Sequence, residues 1–417
     1  MTFSFSQLSP VLQQALQALN YTQPTPIQQQ AIPVVLSGND VMAGAQTGTG
    51  KTAAFALPIL DTLLQQTPSS DSASQEHVQA LILVPTRELA QQVHQSFEQY
   101  AQHSSLKIGL AYGGVSLNPQ LEALKQGVDV LVATPGRLLD FLFKKAVSLD
   151  ALNTLVFDEA DRMLDMGFMD EIQQILKRLP KERQTLLFSA TFSDEIFKLS
   201  KQLLNDPKLI EVDARNTAAT TVEQKVYVVD ADRKRELVSH LIGSKNWHQV
   251  LIFVKTKQGA DALAAEMCKD GLVTKAIHGD KSQGARERVL EEFRSGDTRV
   301  LVATDVAARG IDIPALNTVI NFDLPYIAED YIHRIGRTGR AGQMGTAITL
   351  MSLGEEYLLE EIEVILDERL PQQWLEGYEP DLTKEIPENR KNTRTAQKRR
   401  AKQRAHGQST GKRRRRK

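Results

Sequence analysis

Short runs rich in Val, Ile and Leu alternate with segments of helical length through most of this chain. In the first half the runs are DVMAG (40–44), ALILV (80–84), KIGLAY (107–112), DVLVA (129–133), TLVFD (154–158) and TLLFS (185–189). The second half repeats the pattern with KVYVV (225–229), VLIFV (250–254), TKAIH (274–278), RVLVA (299–303), TVINF (318–322) and TAITL (346–350). Continuously apolar strands separated by helices are buried on both faces, so the pattern predicts parallel sheets and an α/β fold. Two sets predict two sheets. The polar stretch DARNTAATT (213–221) lacks periodicity and divides the sets, while TPSSDSASQEH (67–77) reads as a surface loop. VLVAT occurs near position 130 and again near 300, which suggests one architecture used twice. At the start, Ser9 is placed to N-cap a helix whose first residue is Pro10, with Leu12, Ala15, Leu16 and Leu19 on one face.

A length of 417 residues suits two domains better than one. The expected division is a first domain over 1–213, a linker at 214–222, a second domain over 223–385 and a basic tail at 386–417. The net charge of −1 conceals a strong asymmetry. Of the 50 Lys and Arg residues, 14 fall between Asn389 and Lys417, where there is no Asp or Glu. The remaining 388 residues hold 36 basic against 51 acidic side chains, a balance of −15. An acidic body with a basic tail points to nucleic acid, and a tail with almost no apolar residues is expected to be disordered. No run of 18 apolar residues marks a membrane span, and the first ten residues lack the charge and apolar pattern of a signal peptide. The single cysteine, Cys268, excludes an internal disulfide and a multi-cysteine zinc site. It reads as a helix-end residue more readily than as a nucleophile, and the setting expected is cytoplasmic.

AQTGTGKT (45–52) follows a strand and should open a helix, as a phosphate-binding loop requires. Its residues Ala45, Gln46, Thr47, Gly48, Thr49 and Gly50 would wrap the phosphates, the glycines allowing close backbone approach. Lys51 would reach the terminal phosphates and Thr52 would hold Mg²⁺. Ala45 stands where the general pattern has Gly. DEAD (158–161) ends a buried strand, where ligands bind in open α/β sheets; Asp158 is placed for Mg²⁺, partly through water, and Glu159 for the attacking water. An isolated acidic turn would be the blander account of those four residues. HRIGRTGR (333–340) spaces arginines at 334, 337 and 340. A plain basic helix face would do the same, but two glycines disfavour a long exposed helix. Arg337 and Arg340 are candidate fingers for a γ-phosphate, carried by the second domain while the phosphate loop sits in the first.

Together these residues resemble the DEAD-box RNA helicases, whose motif order runs through 5–352, and they resemble most the bacterial RhlE-like group. The resemblance implies two RecA-like domains in tandem joined by a short linker, with ATP and Mg²⁺ as cofactors. It makes YTQPTPIQ (21–28) the adenine-reading segment, with Gln28 on the base edge and Phe5 stacked on it; Asn20 stands where the family has Gly. It assigns Pro85, Thr86, Arg87, Gly114, Thr134, Pro135, Gly136 and Arg137 to the RNA backbone in the first domain. In the second domain it assigns LIFVKT (251–256), Gln283, Arg286 and Thr304 to RNA contact and coupling. Asp312 falls where the family meets the ribose of the nucleotide, and His333 where it bridges to the first domain. Ser189 and Thr191, with Asp161, would couple hydrolysis to strand separation.

The function implied is an ATP-dependent RNA helicase that grips single-stranded RNA across the cleft and unwinds or remodels short duplexes or ribonucleoproteins. The residues by themselves leave open an ATP-gated clamp or annealing protein, and also a DNA helicase, because the choice of RNA comes from the resemblance. Recognition of backbone and ribose would be independent of sequence. Ribosome biogenesis and the RNA-decay machinery are the settings such a protein would serve.

Overall fold

The computed structural model describes residues 3–44, 49–66, 78–192, 194–212, 222–308, 316–339 and 344–384. The 67–77 loop, the 213–221 stretch and the basic tail lie outside these residues. Fourteen strands fall into two seven-stranded sheets. The first holds β1 (Val41–Gly44), β2 (Ala80–Leu83), β3 (Ile108–Ala111), β4 (Val130–Ala133), β5 (Thr154–Phe157), β6 (Gln184–Ser189) and β7 (Lys208–Glu211). The second holds β8 (Val222–Val228), β9 (Val250–Val254), β10 (Thr274–Ile277), β11 (Val300–Thr304), β12 (Thr318–Asn321), β13 (Gly345–Met351) and β14 (Gln372–Gln373). β8 begins at Val222, so the last residue expected in the linker is already strand.

Every strand pairing is parallel. The strand orders are β3-β4-β2-β5-β6-β1-β7 and β10-β11-β9-β12-β13-β8-β14. Subtracting seven from each label of the second order yields the first, so the two sheets share one topology. The repeated VLVAT lies on β4 and β11, which occupy equivalent places. These are two tandem RecA-like units. Strands such as β2, β4 and β9 are buried along their whole length, as helices on both faces require. Because all strands run one way, their carboxyl ends share one edge of each sheet, where the chemistry-bearing loops collect.

The first helix, Pro10–Ala18, starts after Ser9 and buries Leu12, Ala15 and Leu16. Ser9 occupies the N-cap position without capping through its side chain; its backbone N–H instead donates to buried Asp61, at 2.7 Å. Asp61 lies on the helix Lys51–Gln65 that follows the phosphate loop, so this bond ties the N-terminal segment to the nucleotide-facing helix.

Candidate functional site

β1 ends at Gly44, and Ala45, Gln46, Thr47 and Gly48 lie outside the described residues. Thr49 and Gly50 lead into the helix that opens at Lys51, with Thr52 in its first turn. Gly50 has φ 92°, a left-handed conformation that glycine adopts without strain. A side chain there would collide with the Gln28 amide. Gln28 Oε1 accepts from Thr25 N at 2.9 Å, and its Nε2 donates to Gly50 O at 3.1 Å. The adenine-reading candidate is thereby fastened to the phosphate loop, with one N–H and one lone pair left for a base edge. Phe5 packs against Tyr21 with ring centroids 6.1 Å apart. Phe3 meets it edge-on at 6.2 Å, a second aromatic at this place that the motif did not single out.

Lys51 is buried, and its Nζ has no hydrogen-bond partner among the described residues. The Asp158 and Glu159 carboxylates act on this ammonium from a distance, but a buried ammonium without a hydrogen bond is costly until an acceptor meets it, which is what a terminal phosphate would do. Asp158 follows β5 directly and is also buried, its Oδ1 accepting from Glu159 N at 3.0 Å. Burial pushes the Asp158 carboxyl up to about 6, with Glu159 and Asp161 adding to the rise and Lys51 opposing it. A carboxylate short of positive charge suits a divalent cation. The described residues contain no group of three or more metal-ligating side chains. Such a sparse donor set fits Mg²⁺, which takes one or two protein oxygens and completes its shell with phosphates and water.

Glu159 sits in the left-handed region at φ 54°, ψ 53°, immediately before the short helix Ala160–Asp165. Burial alone would raise its pKa, but Arg162, Lys51, His333 and Arg337 together hold it below the ordinary value. Arg162 lies 3.5 Å away. His333 and Arg337 come from the second sheet's side of the cleft and line one small cavity with Glu159, Asp161 and Ala190. Asp161 Oδ2 accepts from Ala190 N (3.2 Å), Thr191 N (3.1 Å) and Thr191 Oγ1 (3.2 Å). Ser189 Oγ donates to Thr191 O at 2.7 Å. The acidic turn after β5 is thus latched to the loop after β6.

The three arginines of HRIGRTGR part company. Arg334 is almost wholly buried and grips Asp305 with two bonds, at 2.6 and 2.8 Å, while also donating to Asp323 O. It is a structural residue. Arg337 faces Glu159. Arg340 lies outside the described residues, as does Asp312.

Along the other loops, helix starts face the cleft edge. Thr86 caps the helix Arg87–Ala101, and Thr134 precedes Pro135 and Gly136 at the start of Pro135–Phe143. Thr256 caps Lys257–Lys269, and Ser282, which sequence reasoning missed, caps Gln283–Ser295. Free N–H groups at helix starts suit phosphate oxygens. Pro85 is buried two residues beyond the end of β2, and Thr304 closes β11. Gly114, at φ +78°, lies against the Arg87 guanidinium, which a side chain would strike. Arg137 donates to Val115 O at 2.8 Å, so it props the glycine loop and does not stand free. Arg286 pairs with Glu88 across the cleft at 2.7 Å, both side chains only 9% exposed. Beside this pair Gln91 donates to Glu287 at 3.4 Å, a second link between the halves. Glu88 was not foreseen; its place directly after Arg87, among the residues assigned to the RNA backbone, was the available signal.

Residues 25–199 match the family model described as DEAD/DEAH box helicase, and 233–342 match the helicase conserved C-terminal domain. A Xanthomonas oryzae pv. oryzae protein named ATP-dependent RNA helicase RhlB is 42% identical over 373 residues, covering 89% of this chain but 65% of that protein. A Pseudomonas syringae pv. tomato protein of the same name is 42% identical over 366 residues, covering 87% of this chain and 92% of the relative. Among solved structures, S. cerevisiae Dbp5 bound to RNA and ADP BeF3 superposes with a TM-score of 0.78 at 32% identity, covering 89% of this chain and 95% of Dbp5. With identity of this order sustained over nearly the whole of one relative, and both sheets and their motif loops in matching order, the chain belongs to the DEAD-box helicase family.

Proposed function

We propose that the chain is an RNA-dependent ATPase that grips single-stranded RNA across the cleft and locally unwinds or remodels short duplexes or ribonucleoproteins. The observation that carries this reading is Glu159, which draws positive charge from both halves of the molecule: Lys51 and Arg162 on one side, His333 and Arg337 on the other. A γ-phosphoryl group placed between Lys51 and Arg337 would have its developing charge neutralised only with the cleft shut. Glu159 orients the attacking water and accepts its proton. Mg²⁺ held through Thr52 and Asp158, partly by water, would neutralise phosphate charge and fix the phosphate geometry. Arg340 and Asp312 are assigned to the γ-phosphate and the ribose by their place in the family's motifs.

The RNA backbone is assigned to the helix starts at Thr86, Thr134 and Thr256, with Arg87, Gly114 and Thr304 beside them. Arg137 and Arg286 act there by positioning, since each is already engaged by the protein. Solved relatives described as bound to RNA support the same ligand here. Kinship with the RhlE-like group rests on the sequence resemblance, whereas the relatives above carry the name RhlB. A cytoplasmic setting and a role on ribosomal precursors or with the RNA-decay machinery belong to the same proposal. Among the described residues no helix is long and apolar enough to cross a membrane.

ATP turnover measured with no nucleic acid, with single-stranded RNA and with DNA of the same sequence tests the assignment. Stimulation by RNA alone is expected, together with displacement of a strand from a short RNA duplex. Equal stimulation by DNA would overturn the RNA assignment. Stimulation without displacement would favour an ATP-gated clamp or annealing protein.

A further inference from the structure

The helix Gln283–Ser295 carries a second charged face. Arg286 reaches across the cleft to Glu88, but Arg288 lies two residues on, roughly 200° further round the helix. It faces a groove of about 430 Å³ between this helix and Lys257–Lys269, floored by β10. The groove is therefore turned away from the cleft and its phosphate-facing helix starts.

β10 is the last strand of its sheet, with a neighbour on one side only. The Val273 carbonyl accepts from Arg299 N and Val300 N, at 2.9 and 3.0 Å, so it points inward to β11. Alternation along the strand then turns the backbone groups of Thr274 and Ala276 to the open side. The Cys268 thiol donates to Thr274 O at 3.3 Å, in agreement with that direction. Ala264, Ala265, Ala285 and Val289 wall the groove, leaving room beside the strand that larger residues would fill. Its charges are nearly balanced: Lys281 pairs with Asp261 at 2.8 Å and Lys275 with Glu292 at 3.6 Å. Arg288 is exposed and has no acidic partner among the described residues.

We propose that this groove docks an extended segment of a partner protein, added as a further strand beside β10. Small apolar side chains would face the alanine wall, and an acidic side chain would meet Arg288. A sheet edge with no partner strand supplies main-chain hydrogen bonds, here at the floor of the groove where Thr274 and Ala276 are 4% and 9% exposed, and flanking pockets supply the choice of side chain. One uncompensated cation on an apolar wall does not suit a polyanion, which needs several phosphate contacts. A second copy of this chain is disfavoured too, since pairing β10 with itself would set Lys275 and Arg288 against their own counterparts.

Cys268 is the only cysteine of the chain, so its alkylation rate reports directly on the groove. The full-length protein is panned against a phage library of random twelve-residue peptides. Enriched peptides are expected to alternate small apolar and acidic residues. Synthesised, they should slow alkylation of Cys268 and protect the Thr274 and Ala276 amides from hydrogen exchange. Arg288→Glu should weaken their binding by roughly tenfold to a hundredfold, the size of a charge-assisted hydrogen bond. Ala265→Trp, at an exposed position that leaves the core alone, should block them by filling the groove. RNA-stimulated ATP turnover and RNA affinity should be unchanged in both variants. The proposal is overturned if no enriched peptide loses binding in both variants, or if peptides bind while Cys268 reacts at its unprotected rate. A loss of RNA affinity in Arg288→Glu would assign the groove to the RNA path and overturn it equally.

Discussion

A non-glycine residue in the left-handed region costs on the order of 1–3 kcal/mol, and Glu159 holds that conformation while buried beside Asp158. The surrounding cations keep it ionised, which is the state that can orient water and take up a proton. Glu159→Gln should therefore leave ATP affinity within a few-fold while turnover falls by about a hundredfold or more. Lys51→Ala should weaken ATP binding as well as turnover, because the ammonium meets phosphate in the ground state. Comparing nucleotide affinity with single-turnover hydrolysis checks both, and near-normal turnover in Glu159→Gln would remove it from the reaction. Gln28→Ala should erode the preference for ATP over GTP. It should also cost roughly 1–3 kcal/mol of stability, since Thr25 N and Gly50 O would each be left without that partner. Melting the variant beside its ATP and GTP turnover separates the two effects. The phosphate loop, the DEAD turn and HRIGRTGR stand out in the sequence by their spacing, whereas the roles expected of Gln28 and of the RNA-facing residues come from the resemblance. The structural role of Arg334 was not legible from spacing. Its role depends on Asp305, Asn321 and Asp323, which only the fold brings beside it.

At the scale of elements, all twelve apolar runs became strands, and those buried along their whole length, such as β2, β4 and β9, are continuously hydrophobic as burial on both faces demands. β7 and β14 escaped notice for the converse reason. Both are edge strands, and three of four residues in one and both residues in the other are exposed. The end of β13 brings in another element, Glu355, which bridges Lys234 and Lys255, each at 3.0 Å. Burial works against the Glu355 charge, but the two ammonium groups and Ser352 N outweigh it and hold its pKa below 4.5. Lys255 moves the other way: burial opposes its charge, yet Glu355 keeps its pKa above 10.5. A depressed carboxylate contributes stability that is full above about 4.5 and lost as pH falls through the folded value. A raised ammonium contributes stability that is full below about 10.5 and lost as pH climbs through its folded value. Glu355→Gln should cost about 2 kcal/mol at neutral pH, discounted for its partial exposure, and should flatten the acid limb. Urea unfolding at pH 7 and at pH 4 tests this: an equal loss at both would show the charge is not responsible.

At the scale of the whole molecule, the proposed function depends on bringing the two sheets together. The Arg286–Glu88 pair is made only across the cleft, so exchanging either residue for Ala should weaken RNA binding in the presence of ATP. A double-mutant cycle should show the two losses to be coupled, whereas additive losses would mean that each acts alone. Nothing in the sequence could show this pair, which spans 198 positions and depends on how the halves meet. Electrostatic binding of RNA by the basic tail is expected at the same scale. Truncation after Glu388 should weaken RNA affinity at low salt and flatten the log–log salt slope by about 0.7 for each phosphate that the tail no longer neutralises. Turnover at saturating RNA should survive, and parallel salt slopes would exclude the tail from RNA binding. The most direct test of a site completed across the cleft is ATP turnover by Arg337→Ala with saturating RNA, set beside its ATP affinity without RNA. The account predicts that turnover falls on the order of 10³-fold while RNA-free affinity changes by a few-fold at most. Equal losses in the two quantities, or turnover that survives, would contradict it.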